Sequence, residues 1–389
     1  MKTATKNMLK GKKITNHSFW ETQSYLSDID LIVIGSGIVG LSSAISFKEK
    51  NKKAKIVILE RGIFPTGAST KNAGFACFGS ASELISDVKN SSKEHVLQTV
   101  EMRIKGLEIL RKRLGDNNID FKNYGGYELF DDASKYNNCV SEINGLNKDL
   151  FSFTKQKQTY KIEPTKIKSF GFNNIIGVIN NTKEGQIDTG KMMINLLKYA
   201  SNIGILILNS IEVKTVIDIK TNVILDTNIG EIKSKKVIVA TNGFANELLK
   251  IKDIKPARAQ VLITKPIPNL KIKGTFHYNE GYVYFRNIGD RILLGGGRNL
   301  DFETETSMDF KLNTKIQSYL NTFLKNVILP NQEFQIEQRW TGIMGIGSEK
   351  KPIIKAVTKN VICAVRMGGM GVAIGSLVGK MAAVEVIKD

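Results

Sequence analysis

The chain of 389 residues is short of the residue types that most enzymes use for chemistry. It has three cysteines, Cys77, Cys139 and Cys363, too far apart to imply a disulfide framework or a metal site. A reducing cytoplasm is the expected compartment. It has three histidines, His17, His95 and His277, and none stands in a Ser-His-Asp or metal-ligand spacing, so no metal is expected. No uninterrupted apolar run is long enough to span a bilayer. The first 28 residues are basic, but no apolar stretch of the kind a secretory signal needs follows them. Arginine clusters are missing too, apart from Arg111-Lys112-Arg113. The formal net charge of +19 therefore comes from scattered lysines in an Ile- and Asn-rich chain, and no specific nucleic-acid partner is expected.

What the chain does have is glycine in ordered places. Residues 31–41 read LIVIGSGIVGL: a short apolar β-run enters Gly35-x-Gly37-x-x-Gly40, and a helix of small residues follows. In this pattern the first glycine permits the strand-to-helix turn, the second lets backbone approach a pyrophosphate, and the third lets helix and strand pack closely. The free N–H groups and positive dipole end of the helix favour phosphate. A second apolar run, KIVILE, ends in Glu60, where a carboxylate accepts hydrogen bonds from ribose hydroxyls. Glycines alone are weak; strand, glycines, helix, strand and terminal acid in order point to a dinucleotide site.

Residues 1–27 read as an N-terminal arm whose Phe19 and Trp20 are expected to pack back onto the body. Residues 67–79 (GASTKNAGFACFG) read as a loop approaching something closely, and a long helix is expected from about 82 to 114. Residues 121–179 look mixed and strand-rich. Residues 281–286 and 291–295 form a hairpin pattern, and a helix is expected over 376–387. Dinucleotide-type elements recur in three places, so the expected organisation is two domains threaded through each other. One comprises residues 28–110, 185–252 and 337–389; the other comprises 111–184 and 253–336.

Two further segments bear on chemistry. Residues 236–243 (KVIVATNG) are a buried strand ending in small residues, either a ligand contact at a strand end or an ordinary turn. Residues 361–379 (VICAVRMGGMGVAIGSLVG) form a second strand–glycine–helix unit, in which Gly375 and Gly379 read equally well as helix packing. The order GSGIVG, Glu60-Arg61, GASTKNAGF, VIVATNG, ILLGGG, Trp340-Thr341-Gly342-Ile343 and GGMG resembles the D-amino-acid oxidase family of FAD-dependent oxidoreductases. Within it the chain is most similar to the branch of glycine oxidase, sarcosine oxidase and gamma-glutamylputrescine oxidase, from about Phe19 to the end.

That resemblance implies an α/β fold, a Rossmann-like FAD-binding domain interleaved with an α+β substrate domain built on a large, mostly antiparallel sheet. It implies that Gly35, Ser36, Gly37 and Gly40 hold the FAD pyrophosphate, and that Glu60 and Arg61 meet the adenosine. Ser69, Lys71, Asn72, Ala73 and Gly74 would lie along the flavin, with Val213 at the adenine. Thr241 and Gly243 would lie near the phosphates, and Gly369, Gly371 and Val372 at the pyrimidine edge. Relatives place an arginine just after the Trp-x-Gly motif to bind the substrate carboxylate; here the stretch is Gly342-Ile343-Met344-Gly345. Tyr284, Arg286, Arg298 and Met344 remain as substrate-binding candidates, although an arginine at a strand end is often a structural ion pair. Arg366 is expected to point elsewhere. His277, just before the hairpin, could reach the pocket or be an ordinary core histidine.

No cysteine stands in the few residues around and after Trp340, where a covalent flavin link of the sarcosine-oxidase type would need one, so FAD is expected to be non-covalent. Amine oxidation needs little acid–base equipment from the protein, which orients the C–H bond and favours the neutral amine. The expected activity is oxidation of a C–N bond in a small-molecule amine or amino-acid derivative, the imine then hydrolysing, with O2 as acceptor giving H2O2 or with another carrier. The alternatives are a 2-hydroxy-acid dehydrogenase on the same scaffold and a tRNA-modifying flavoprotein.

Overall fold

A computed structural model describes residues 16–387. The run Ile29–Ile34 carries apolar residues on both faces, and such a strand is stable only when covered on both sides. It forms the centre of a mostly parallel sheet. Moving outward, Ile56–Leu59 and then Leu206–Leu208 lie on one side. Gly230–Val239, Val361–Val365 and an antiparallel edge, Ile353–Thr358, lie on the other. The antiparallel pair Val213–Asp218 and Val223–Thr227 extends from Gly230–Val239.

Two helices of small residues, Ile38–Lys50 and Gly371–Ile387, pack against each other on one face of this sheet. A Cβ at Gly375 would stand 2.8 Å from Ile38 Cγ2, and one at Gly379 would stand 2.7 Å from the Ser43 amide nitrogen. Those two glycines are packing devices. The second helix starts at Gly371, five residues earlier than expected, because the last glycine of the cluster already opens it, while Gly368 and Gly369 form the turn before it at φ +57° and +83°.

The second sheet has eight strands in the order Ile336–Ile346, Lys255–Thr264, Arg291–Gly296, Val283–Ile288, Thr275–Tyr278, Gly126–Phe130, Gly177–Asn181 and Tyr160–Ile162. All neighbours are antiparallel except Thr275–Tyr278 with Gly126–Phe130. Alternation along its strands sorts the side chains. Phe276 and Phe285 stack in the core with centroids 4.6 Å apart, while their neighbours His277 and Tyr284 face the other way, toward the first domain.

The fold class is thus the expected interleaving of two sheets, with four local corrections. Ile336–Ile346 is an edge strand of the second sheet, paired along Lys255–Thr264, so the chain returns to the first sheet only at Ile353 and not at 337. The boundary drawn at 110 falls inside one helix, Lys93–Leu114. The expected helix over 82–114 is two, Ala81–Asn90 and Lys93–Leu114, because the Ser92 hydroxyl caps a fresh start by accepting from the His95 N–H. Phe19 and Trp20 do not pack onto the body: they are 67% and 74% exposed and meet each other edge to face. Residues 1–15 of the expected arm lie outside the described residues.

A 22-residue helix, Ala133–Thr154, was not foreseen in the region read as strand-rich. Its buried stripe includes Cys139, Ile143, Asn147, Leu150 and Thr154, so two of its five inward positions are polar. Asn147 earns its place by hydrogen bonding both the N–H and the C=O of Tyr160, at 2.9 and 3.0 Å.

Candidate functional site

The first turn of the site is made by the three glycines. Gly35 has φ +100°, and a Cβ there would lie 3.1 Å from the Ala240 carbonyl oxygen. A Cβ at Gly40 would lie 1.9 Å from the Gly35 oxygen, so helix and strand meet with no room for a methyl group. Gly37 caps the helix Ile38–Lys50 without a side chain, and the Ile38 N–H donates to Ser69 Oγ at 3.0 Å. That helix is thirteen residues long, so its positive end is well developed where it meets the loop at Ser69.

Glu60, buried at the end of Ile56–Leu59, ties this turn together. Its Oε2 accepts from the Ser36 N–H at 3.0 Å and the Ser36 hydroxyl at 2.7 Å, and its Oε1 accepts from the Gly62 N–H at 3.0 Å. Each carboxylate oxygen has two lone pairs, so acceptor capacity remains for a ribose hydroxyl.

From this turn a cavity of about 820 Å³ runs between the two sheets. Gly35, Gly37, Glu60, Arg61, Val213 and Thr241 line one end. Ser69, Lys71, Asn72, Ala73 and Gly74 line its middle, and Gly369, Gly371 and Val372 close it from the C-terminal side. Tyr284, Arg298 and Met344 stand on the wall formed by the antiparallel sheet and its loops. The loop at 68–74 is internally fixed: Asn72 Oδ1 accepts from the Gly74 N–H and from the Thr189 hydroxyl, both at 2.9 Å. The Trp340 indole donates to the Lys71 carbonyl at 3.0 Å.

Four expected site residues are not on the cavity wall. Ser36 is buried against Glu60, and Gly40 is the helix–strand contact already described. Gly243 is a packing glycine, since a Cβ there would fall 2.5 Å from the Met344 carbonyl oxygen. Arg286 lies behind the loop: its guanidinium would be 2.9 Å from a Cβ on Gly74, and it is 5% exposed. Burial pulls it down to about 10 against the opposing fields of Asp188 and Asp120, and its Nε has no hydrogen-bond partner. It is not on the pocket wall, and among the described residues it forms no ion pair.

Arg298 does face the cavity. Its guanidinium sits 4.5 Å over the Phe302 ring, and burial lowers it from its ordinary value against the fields of Tyr282 and Glu305. Arg366, as expected, points elsewhere: it pairs with Asp253 and donates to the Lys351 carbonyl at 2.9 Å.

Two further groups stand on the wall: Lys350, which escaped sequence reasoning, and His277, which was expected either to reach the pocket or to be a core histidine. Lys350 Nζ lies 2.8 Å from both Glu83 and Asp87, bridging the C-terminal segment to the helix Ala81–Asn90. Burial would raise Glu83, but Arg103 and Lys350 outweigh it and hold the carboxyl at about 2. The other is His277, whose Nε2 is 2.5 Å from Oε1 of Glu184, a residue with no exposed surface. Burial alone would lower His277, but Glu184 and, further off, Glu128 and Glu83 leave it raised. Glu184 stands in a Thr-Lys-Glu-Gly stretch that reads as an exposed turn, so no local signal marks it.

A glycine-walled turn, a helix N-terminus, an acid at the second strand and a cavity crossing to an antiparallel sheet are the requirements of a dinucleotide whose ring lies at that sheet, and the residues present fit FAD. The family model described as FAD dependent oxidoreductase (DAO) matches residues 30–384, and the chain belongs to that family. It is 21% identical over 370 residues to a probable oxidoreductase OrdL of Haemophilus influenzae, covering 92% of this chain and 83% of that one. It is 23% identical over 407 residues to a D-amino acid dehydrogenase of Helicobacter pylori, covering 91% and 94%. Among solved structures, L-proline dehydrogenase from P. horikoshii superposes with a TM-score of 0.74 at 20% identity, covering 92% and 93%. Glycine oxidase from Bacillus cereus gives 0.73 at 16%, covering 93% and 95%. The protein is therefore an FAD-dependent oxidoreductase whose family relatives act on amino acids and amines. No helix among the described residues is long and apolar enough to cross a membrane.

Proposed function

We propose that the protein oxidises the C–N bond of an amine or amino-acid derivative larger than a simple α-amino acid. When bound, FAD supplies the electron acceptor for that bond. Gly35, Gly37 and the N-terminus of Ile38–Lys50 would hold its pyrophosphate, Glu60 its adenosine ribose, and residues 69–74 its ring. The observation that carries the reading is the cavity joining that turn to the sheet wall of Tyr284 and Arg298, with no arginine in the lining stretch Gly342-Ile343-Met344, where the resemblance implies one. Arg298 is the anchor for an anionic group, Tyr284 bounds the pocket, and the wall keeps bulk water from the reacting carbon. The imine hydrolyses after release. O2 serves as the final acceptor, giving H2O2, and FAD is held non-covalently.

Anaerobic bleaching of the bound flavin by a panel of amines, N-substituted amino acids, small α-amino acids and hydroxy acids tests this. N-substituted or larger substrates are expected to bleach fastest, and Arg298→Ala is expected to raise KM for anionic ones by roughly 10- to 100-fold. Rapid reduction by glycine or D-alanine, indifferent to Arg298→Ala, would refute the substrate class. Reduction by hydroxy acids alone would refute the reaction. Release of intact FAD by acid precipitation checks the mode of attachment.

A further inference from the structure

His277 is the one histidine of the three on the cavity wall, and its ring is fixed. Its strand places it in register with Tyr284 and beside Glu128, and Phe75 packs edge-on against it with centroids 5.3 Å apart. A carboxylate can only accept, so the 2.5 Å contact makes Nε2–H the donor to Glu184. Nδ1 has no partner among the described residues. The atom nearest to a Cβ built on Gly281 is this Nδ1, at 4.0 Å, and nothing else lies within 4 Å of that position. Gly281 thus leaves open the space in front of Nδ1.

Glu184 supplies the reason for the ring's protonation. Its carboxylate is fully buried, its Oε1 also accepts from the Thr275 hydroxyl at 2.9 Å, and its Oε2 has no partner. His277 is its only cationic contact among the described residues. Burial alone would lower the ring, and the close contact with the Glu184 carboxylate outweighs it and holds His277 above its ordinary value. The other charged groups around the ring do not undo this. Glu128 is tied to Ser80 and Ser82, and Glu83 is neutralised by Arg103 and Lys350. Cys77, whose sulfur lies within 4.8 Å of both partners, is kept as a thiol by burial.

We propose that His277, held by Glu184, presents Nδ1–H to the cavity and binds a carboxylate of the substrate together with Arg298, in a pocket whose Gly342-Ile343-Met344-Gly345 stretch carries no arginine. The inference rests on the amine-oxidation reading above and deepens it: the substrate bears a carboxylate met by an imidazolium, so recognition depends on pH. The sign distinguishes this role from that of a base. An imidazolium anchor loses anion affinity as pH rises through its titration, whereas a histidine that takes a proton from the substrate ammonium gains activity over the same range.

The test uses the holoenzyme with benzoate as the carboxylate probe and benzylamine as the control, both followed by calorimetry and by the flavin spectrum. Benzoate affinity is expected to fall about tenfold per pH unit above the His277 titration, and benzylamine affinity not to fall. His277→Asn should weaken benzoate roughly 10- to 100-fold at neutral pH and flatten its pH dependence. Glu184→Gln should move the fall to lower pH, and it carries the test if His277→Asn does not fold. Independently, ¹⁵N imidazole spectra should show one of the three histidines titrating above 6.5, and that signal should vanish in His277→Asn. Wild-type benzoate affinity and pH profile in both variants, affinity that rises with pH, or three histidines titrating at or below 6.5 would overturn the proposal. A colourless protein that FAD does not reconstitute would overturn the flavin reading instead, leaving the imidazole titration and calorimetry to judge His277.

Discussion

Glu60 has two duties in one carboxylate, and removing it separates them. In Glu60→Ala the Ser36 and Gly62 N–H groups lose their acceptor, as does the Ser36 hydroxyl. Ser36 is fully buried, so its N–H cannot turn to bulk water in the folded chain. An unsatisfied buried donor costs about 1–3 kcal/mol, and Gly62 is only half-buried and recovers water more easily. The apoprotein should therefore lose about 2–4 kcal/mol of stability before any ligand is considered. The lost ribose hydrogen bond adds a further weakening of FAD binding of about 1–3 kcal/mol, or roughly 5- to 150-fold in Kd. Glu60→Gln keeps one acceptor oxygen and should lie between wild type and alanine on both scales. Urea unfolding of the apoprotein reads the first effect, and quenching of FAD fluorescence on titration reads the second. Unchanged apoprotein stability would show that the carboxylate does not hold the turn. Unchanged FAD affinity in both variants would show that it does not meet the ribose, and the dinucleotide assignment would fall with it.

Gly37→Val should abolish FAD binding while leaving the circular-dichroism spectrum native, because its Cβ would start 2.8 Å from Ser69 Oγ and the branches would occupy the path of the pyrophosphate; a normal titration curve would exclude the path. Glu83 ties stability to acid: its carboxyl, near 4.5 when unfolded, is held at about 2 in the fold, so its contribution is complete above 4.5 and is lost as pH falls toward 2. At about 1.4 kcal/mol per pH unit this is up to about 3 kcal/mol, and Glu83→Gln should flatten the acid limb of a denaturant-midpoint profile measured from pH 6 to pH 3. An unchanged limb would place the acid sensitivity elsewhere.

What could be read from the sequence was whatever depends on neighbours along the chain. The glycine turn, the second strand with Glu60 and the hairpin at 283–296 each declare themselves within thirty residues, because backbone geometry dictates residue type locally. The helix Ala133–Thr154 did not, since Asn147 and Thr154 replace apolar residues in its buried stripe and are satisfied by partners the sequence does not name. Gly243 and Gly37 look alike as letters, but one is empty for a carbonyl of the neighbouring strand and the other for the cavity. His277 and Glu184 are 93 residues apart and meet only because the turn after Gly177–Asn181 folds Glu184 back onto the strand Thr275–Tyr278. Arg286 and Arg298 are equally plausible as sequence, and only the covering loop at Gly74 separates them.

The threading of the chain also sets the timing of assembly. The strand Ile29–Ile34 pairs directly with Gly230–Val239, and the outer flank of that partner is closed by Val361–Val365. At a synthesis rate of roughly 5–20 residues per second, the first strand waits on the order of 10–40 s for its neighbour, and the neighbour waits roughly 6–25 s more. During that interval an apolar strand has an unpaired edge, which is the state that invites wrong partners. The cavity itself is lined by Met367, Gly369 and Val372. These residues follow the last strand of both sheets, so this side of the cavity is added after every strand is made.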